Sequence, residues 1–222
     1  MKNNLFLQAL KKIIAGFVAI GVLLFLPAGT FHYWNAWLLV AVLFVPMIFL
    51  GILMLFKSPK LLEKRLDAKE KIAEQNWVVA LSGIMFIAAF VVAGLNFRYS
   101  WHSLPDYVIW IGTSVFLLSY LIYAEVMREN AFLSRTIEIQ ESQKVIDTGL
   151  YGVVRHPMYS ATLIMFLSIP LILGSIISFA IMLAYIPIIA VRMNNEEKVL
   201  EEGLEGYKEY KQKVRYKVIP FV

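Results

Sequence analysis

Cysteine is absent from this chain of 222 residues, so disulfides and thiolate metal sites are closed to it. Histidine is scarce: His32, His102 and His156 fall in three separate segments, which speaks against a three-histidine metal centre. Charge is sparse at 17% of residues, and the long apolar runs hold almost none of it; Glu125 alone lies near the end of one. That argues against an ion pathway through a membrane. The chain has no Walker-type glycine-rich loop, no His-Glu-x-x-His element and no Gly-x-Ser-x-Gly element, so nothing marks a P-loop enzyme, a zinc protease or a serine hydrolase. The alternation of a β-barrel is missing too, because the apolar residues come in continuous blocks. There is no internal repeat and no low-complexity segment.

What the chain has is apolar bulk. Hydrophobic residues make up 59% of it, and the mean hydropathy is +0.68; a soluble domain is about 45–50% apolar. The blocks are long enough for helices to cross a hydrocarbon core about 30 Å thick. The expected class is therefore an all-α, polytopic membrane bundle. Six segments are read, at 13–26, 36–56, 77–95, 107–124, 158–173 and 176–191. The last two join at Gly174-Ser175, because one helix over that whole block would be about 50 Å long at 1.5 Å per residue. Pro170 and Pro187 are expected to bend these arms. A second block follows the first within a few residues, so the first reads as a retained span and not a cleaved leader.

Six segments put both termini on one side. Of the 21 Lys and Arg residues, all but Arg98 fall on that side, which the positive-inside rule makes cytoplasmic. Trp34, Trp37, Trp77, Trp101 and Trp110 lie near segment ends, as interfacial anchors do. Topology and contact with anionic lipid account for the net charge of +5, and no nucleic-acid partner is called for.

Three polar pieces share the basic side. Residues 57–66 read as a short amphipathic helix with proline near its start, either an interfacial linker or a headgroup-binding lid. The second piece, 128–156, mixes β-branched and polar residues over 136–146, which suits an extended stretch, and turns at Asp147-Thr-Gly149. It closes with Gly-Leu-Tyr-Gly-Val-Val-Arg-His-Pro-Met-Tyr at 149–159. Pro157 disfavours helix at His156 and starts a helix itself. His156 thus sits on irregular backbone at a helix N-terminus, either capping local backbone or facing a ligand that takes the N–H groups there. Arg155 is free to snorkel to headgroups. In the third piece, 192–222, Arg192 and Glu196 share a helix face at i, i+4. Lys198/Glu202 and Glu209/Lys213 have the same spacing and read as solvated pairs, while Tyr207, Tyr210 and Tyr216 read as interfacial packing.

A polar loop thus leads into a hairpin, and a cation with two carboxylates waits where the hairpin leaves. Such groups are costly near lipid and point to an enzyme site at the membrane surface. A cationic cofactor suits Glu196 and Glu197, and its polar edges suit the backbone of 140–146.

The segment 149–159, the hairpin, Arg192 with Glu196-Glu197, and the Gly-Tyr-Lys-Glu-Tyr-Lys-Gln-Lys-Val-Arg-Tyr-Lys-Val-Ile-Pro-Phe ending at 206–221 together resemble the isoprenylcysteine carboxyl methyltransferase family, in its prokaryotic branch of integral membrane methyltransferases. The likeness covers roughly the C-terminal 90 residues well. It implies an enzyme that uses S-adenosyl-L-methionine, without a metal, in the prokaryotic cytoplasmic membrane, on a lipophilic or lipid-tailed acceptor. It also implies a division into membrane spans at 1–127, with an interfacial loop at 57–76, and a catalytic region at 128–222. Carried over by motif, Gln143, Lys144, Val145 and Ile146 supply backbone contacts to the cofactor and Gln140 a side-chain contact. Tyr151, His156, Pro157, Met158 and Tyr159 line its two ends. Glu196 and Glu197 bind it, and Arg192 holds the acceptor, so Arg192 and Glu196 are the expected catalytic pair. Two other readings stay open. Sterol reductases have a similar Arg-His-Pro region and use NADPH, whose 2′-phosphate Arg128, Arg135 and Lys144 would meet. A non-catalytic scaffold would bind neither cofactor.

Overall fold

The structure, a computed structural model, describes residues 2–66, 73–133, 137 and 139–220. The expected basic loop beyond Leu66, and Arg135, lie outside these residues. The described residues form nine α-helices and no strand: α1 (Lys2–Ala28), α2 (Trp34–Lys57), α3 (Pro59–Leu66), α4 (Ala73–Tyr99), α5 (Asp106–Glu129), α6 (Pro157–Ile172), α7 (Ile176–Met182), α8 (Tyr185–Gly203) and α9 (Tyr207–Lys213).

Helices α1, α2, α4 and α5, and the α7–α8 arm over Ile176–Gly203, are long and apolar enough to cross a membrane; α6 is the shorter apolar helix. At most 33% of any spanning window is buried within the protein. The remaining apolar surface has no protein partner and is what a lipid environment covers. The expected all-α membrane bundle is therefore borne out, with five helices long enough to span and the shorter α6 beside them, most of them longer than their apolar blocks. The last arm is broken: α7 stops at Met182 and α8 resumes at Tyr185. Pro187 lies in the first turn of α8, where the missing N–H costs little.

Contacts fix the order of the ends. The loops after α1, between α4 and α5, and between α6 and α7 meet at one end of the bundle. There Tyr33 Oη donates to Leu173 O at 2.7 Å, Asn35 Nδ2 to Ile172 O at 3.0 Å, and Leu104 N to Gly174 O at 3.0 Å. Arg98 lies over the left-handed turn at Gly29. The opposite end holds α3, the 130–156 loop, the end of α8 and α9. With no water in the hydrocarbon layer, helices pack through small residues that let backbones approach. Gly94 places α4 against α1 so closely that a Cβ there would stand 2.6 Å from Leu24 O. At Gly112 a Cβ would stand 2.8 Å from Leu171 Cβ, which sets the α5–α6 spacing.

Gly94→Ala is expected to destabilise the detergent-solubilised protein by about 1–3 kcal/mol, the usual result of overpacking. Thermal unfolding checks this, with Gly83→Ala, a site with nothing within 4 Å, unchanged beside it.

Candidate functional site

The site grows from the backbone around Pro157. Proline starts α6, and His156 stands before it at φ −125° and ψ 61°. A C-terminal strap then runs alongside. Arg155 N donates to Tyr216 O at 2.9 Å, His156 N to Lys217 O at 2.8 Å, and Ser160 Oγ to Val218 O at 2.6 Å. So the N–H groups of Arg155 and His156 are taken up by carbonyls of the chain's own C-terminal segment. The His156 side chain does not cap backbone either: Nε2 lies 3.1 Å from Glu197 Oε1.

Arg155 does not snorkel. It is buried, with Nε on Glu197 Oε1 at 2.8 Å and Nη1 donating to the carbonyls of Val214 at 2.8 Å and Arg215 at 2.7 Å. Glu197 is only 4% exposed and faces three cations and the imidazole, since Lys217 Nζ lies 3.3 Å and Lys211 Nζ 3.5 Å from Oε2. A carboxylate so placed is a fastener between α8, the α6 entrance and the strap.

Before α6 the chain makes a 3₁₀ turn over Gly149–Gly152. Gly149 has φ +52°, and the Glu129 carboxylate occupies the place of its missing side chain, accepting from Leu150 N at 3.0 Å. Asn130 Nδ2 donates to Tyr151 Oη at 2.9 Å, and burial pushes that phenol up to about 12. Tyr210 Oη donates to Tyr151 O at 2.8 Å and locks α9 beneath the turn. On the other flank α3 buries Leu61 and Leu62, and its Lys64 ammonium bonds the side chain of Gln140. The loop before the turn is irregular rather than extended; Gln143 folds back so that its Oε1 accepts from Gln140 N at 2.9 Å. Thr136 and Glu138 of that stretch lie outside the described residues.

These pieces enclose an open cavity of about 860 Å³, its mouth included. Gln143, Lys144, Val145, Ile146, Tyr151, His156, Pro157, Met158, Tyr159, Arg192 and Glu196, all expected at the site, line it together. Two expected residues stand off the lining. Gln140 spends its side chain on Lys64 and on Phe132 O, inside the loop. Glu197 points behind the wall to Arg155. Sequence reasoning passed over Asn130, Leu133, Arg155, Leu200, Leu204, Tyr207 and Tyr210, which also line the cavity. The i, i+4 spacing from Arg192 through Glu196 and Leu200 to Leu204 was the available signal. Arg128 pairs with Glu125 on the surface, and Lys213 with Asp147 at 2.7 Å rather than with Glu209, because the end of α9 faces that loop.

The cavity changes character along α8. At one end Tyr159 Oη accepts from Arg192 Nε at 3.2 Å and donates to Glu196 Oε2, so a single hydroxyl links the cation and the carboxylate. Further along, Leu200 and Leu204 present carbon. The lining can therefore hold a ligand that is charged at one end and flat and apolar at the other.

Residues 107–205 match the family described as phospholipid methyltransferase. This stretch of the chain is similar to membrane methyltransferases. The match is a little under half of the chain and runs from α5 through α8, taking in His156, Arg192 and Glu196 but stopping before α9. It bears out the likeness to integral membrane methyltransferases carried by the motifs at 149–159 and 192–197. No curated protein matches the chain.

Glu197→Ala is expected to lower stability by about 3–5 kcal/mol, because Arg155 would be left buried and uncompensated. Chemical denaturation in detergent measures this. Gly149→Ala should cost about 1–3 kcal/mol for the positive φ, and it should also displace the Glu129 carboxylate.

Proposed function

We propose that this chain transfers a methyl group from S-adenosyl-L-methionine to an oxygen or nitrogen nucleophile, and preferentially to a carboxylate, on a lipophilic substrate. The observation that carries this reading is the graded lining of the cavity. Glu196 and the Tyr159 hydroxyl offer negative charge and a polar contact to an ammonium or sulfonium group. Leu200, Leu204 and Val145 offer carbon to a purine, and the backbone of Gln143, Lys144 and Ile146 offers polar edges. The donor set thus fits the cofactor, which supplies an electrophilic methyl group when bound. It fits the polyanion NADPH less well, since Glu196 is on the lining and, of the cations expected to meet its 2′-phosphate, Lys144 lines the cavity while Arg128 is paired elsewhere.

The residues' own tasks follow from their chemistry. Glu196 holds the cationic end. Arg192 orients the acceptor, and a guanidinium does this best for a carboxylate, through two parallel hydrogen bonds. A carboxylate is already ionised at neutral pH, so no general base is needed. What remains is positioning and exclusion of water, tasks for His156, Met158 and the loop. Glu197 acts indirectly, by keeping Arg155 and His156 in place, and Gln140 by shaping the loop. The charge asymmetry puts both termini and the site on the cytoplasmic side. A lipid-tailed acceptor reaches the site sideways from the bilayer, and residues 1–127 shape its choice.

Thermal stabilisation in detergent by S-adenosylhomocysteine, with NADPH in parallel, tests this reading. A shift with the first alone is expected; a shift with NADPH alone would overturn it. Glu196→Ala should weaken S-adenosylhomocysteine binding at least tenfold, the scale of a hydrogen bond to a charged group, with unliganded stability close to wild type. Arg192→Ala should leave that binding in place and abolish methyl transfer to a carboxylate acceptor.

A further inference from the structure

The short helix α3 has two faces with different surroundings. Its inner face belongs to the cavity. Leu61 and Leu62 are buried. Lys64 bonds the side chain of Gln140, and its ammonium lies 5.8 Å from the ring centroid of Phe132. Arg65 Nη1 donates to Met158 Sδ at 3.7 Å, with its guanidinium 5.4 Å from the ring centroid of Tyr123. Phe132 and Met158 line the cavity, and Gln140 braces the loop that brings Gln143 to Ile146 to it. The last turn of α3 thus holds one wall of the cavity.

The outer face is turned away from the protein. Lys57, Lys60 and Glu63 recur every three residues and are exposed, as are Lys11 and Lys12 of α1. Lys12 bonds Leu66 O, so the end of α1 clasps the end of α3. Phe56 is 69% exposed beside Lys57. Residues 1–66 carry seven cations against one acid, Glu63. Among the described residues, Lys11, Lys57 and Lys60 make no ion pair. Such a surface is unfavourable by itself. Lys60 and Lys64 stand i, i+4, a like-charged pair that weakens a helix, and a helix of eight residues gains little from its own hydrogen bonds. Helix α3 follows directly on α2, a spanning helix that ends at Lys57, so these cations lie at the depth of lipid headgroups. Cations at that depth are drawn to anionic lipid.

We propose that α3 and the adjoining end of α1 dock on anionic phospholipid headgroups, and that this contact holds the 140–146 loop against the cavity. Headgroup phosphates at Lys57 and Lys60 offset the repulsion along α3 and fix it on the bilayer surface. Lys64 and Arg65 carry that order to Gln140 and Met158. The occupant is a lipid surface and not a soluble anion, because Phe56 and the end of a spanning helix adjoin the cations. Nothing in this coupling depends on the methyl-transfer reading above.

The test is amide hydrogen exchange, which reads local opening, on the full chain without cofactor. The protein is placed in nanodiscs of phosphatidylcholine alone or mixed with phosphatidylglycerol. In the anionic discs α3 and residues 139–146 are expected to exchange at least about fivefold more slowly, the effect of one surface lysine near charged lipid. Helices α5 and α6 serve as the unchanged reference. Lys57→Gln with Lys60→Gln should remove the difference between the discs. Lys64→Ala should keep it in α3 and remove it from the loop. Equal exchange of the wild type in both discs would overturn the proposal, and so would a lipid response that survives in the double variant. A loop that responds in Lys64→Ala as it does in wild type would break the coupling and overturn it as well. Soluble glycerol phosphate giving the same protection in neutral discs would make the ligand a free anion, again against the proposal. With no cofactor present, each of these outcomes is separate from success or failure of the S-adenosylhomocysteine test.

Discussion

A single buried carboxylate, Glu197, joins three parts of the chain that are far apart in sequence. It sits on the helix that leaves the membrane, takes the Arg155 guanidinium and the His156 imidazole from the entrance to α6, and draws in Lys211 and Lys217 from the C-terminal segment. Arg155 in turn spends its other donors on the carbonyls of Val214 and Arg215. The cavity has its shape because these groups cannot separate without burying a bare charge. His156 and Tyr159 face inward because the fastener lies behind them.

The bilayer imposes the second constraint. Helices there gain little by hiding apolar surface from one another, so they are held by close approach and by a few polar bonds. Gly94 and Gly112 allow the approach, and Tyr33, Asn35 and Ser178 supply bonds to backbone carbonyls of neighbouring helices. This scaffold is rigid at the end away from the site. The site end is built differently, from loop, 3₁₀ turn, short helices and strap.

The division of labour between neighbouring residues follows from helix geometry. Arg192, Glu196 and Leu200 form one stripe of α8, with Leu204 just past its end, and Tyr159 ties the first two together through one hydroxyl. The stripe runs from charge to carbon over a few turns. Among the described residues, α3 and α9 flank this stripe from opposite sides, one tied to the loop through Lys64 and Gln140, the other through Tyr210 and Tyr151.

Much of this was legible in the sequence. Continuous apolar blocks determine spanning helices, because backbone polar groups in lipid must be satisfied within the segment. The lopsided Lys and Arg content determines which loops lie together. The Arg-His-Pro-Met-Tyr run and the later Arg192 and Glu196 marked residues that line one cavity, since proline fixes the helix start and i, i+4 spacing fixes a shared face. Tertiary structure alone decided which of two adjacent glutamates faces the cavity. Consecutive residues on a helix point about 100° apart, so Glu196 and Glu197 must part company. The side each takes depends on where the strap and Arg155 come to lie. The same holds for Tyr207 and Tyr210: spacing put both on one side of α9, and only the packed chain gave the Tyr210 hydroxyl the carbonyl of Tyr151 while burying the Tyr207 hydroxyl without a partner among the described residues.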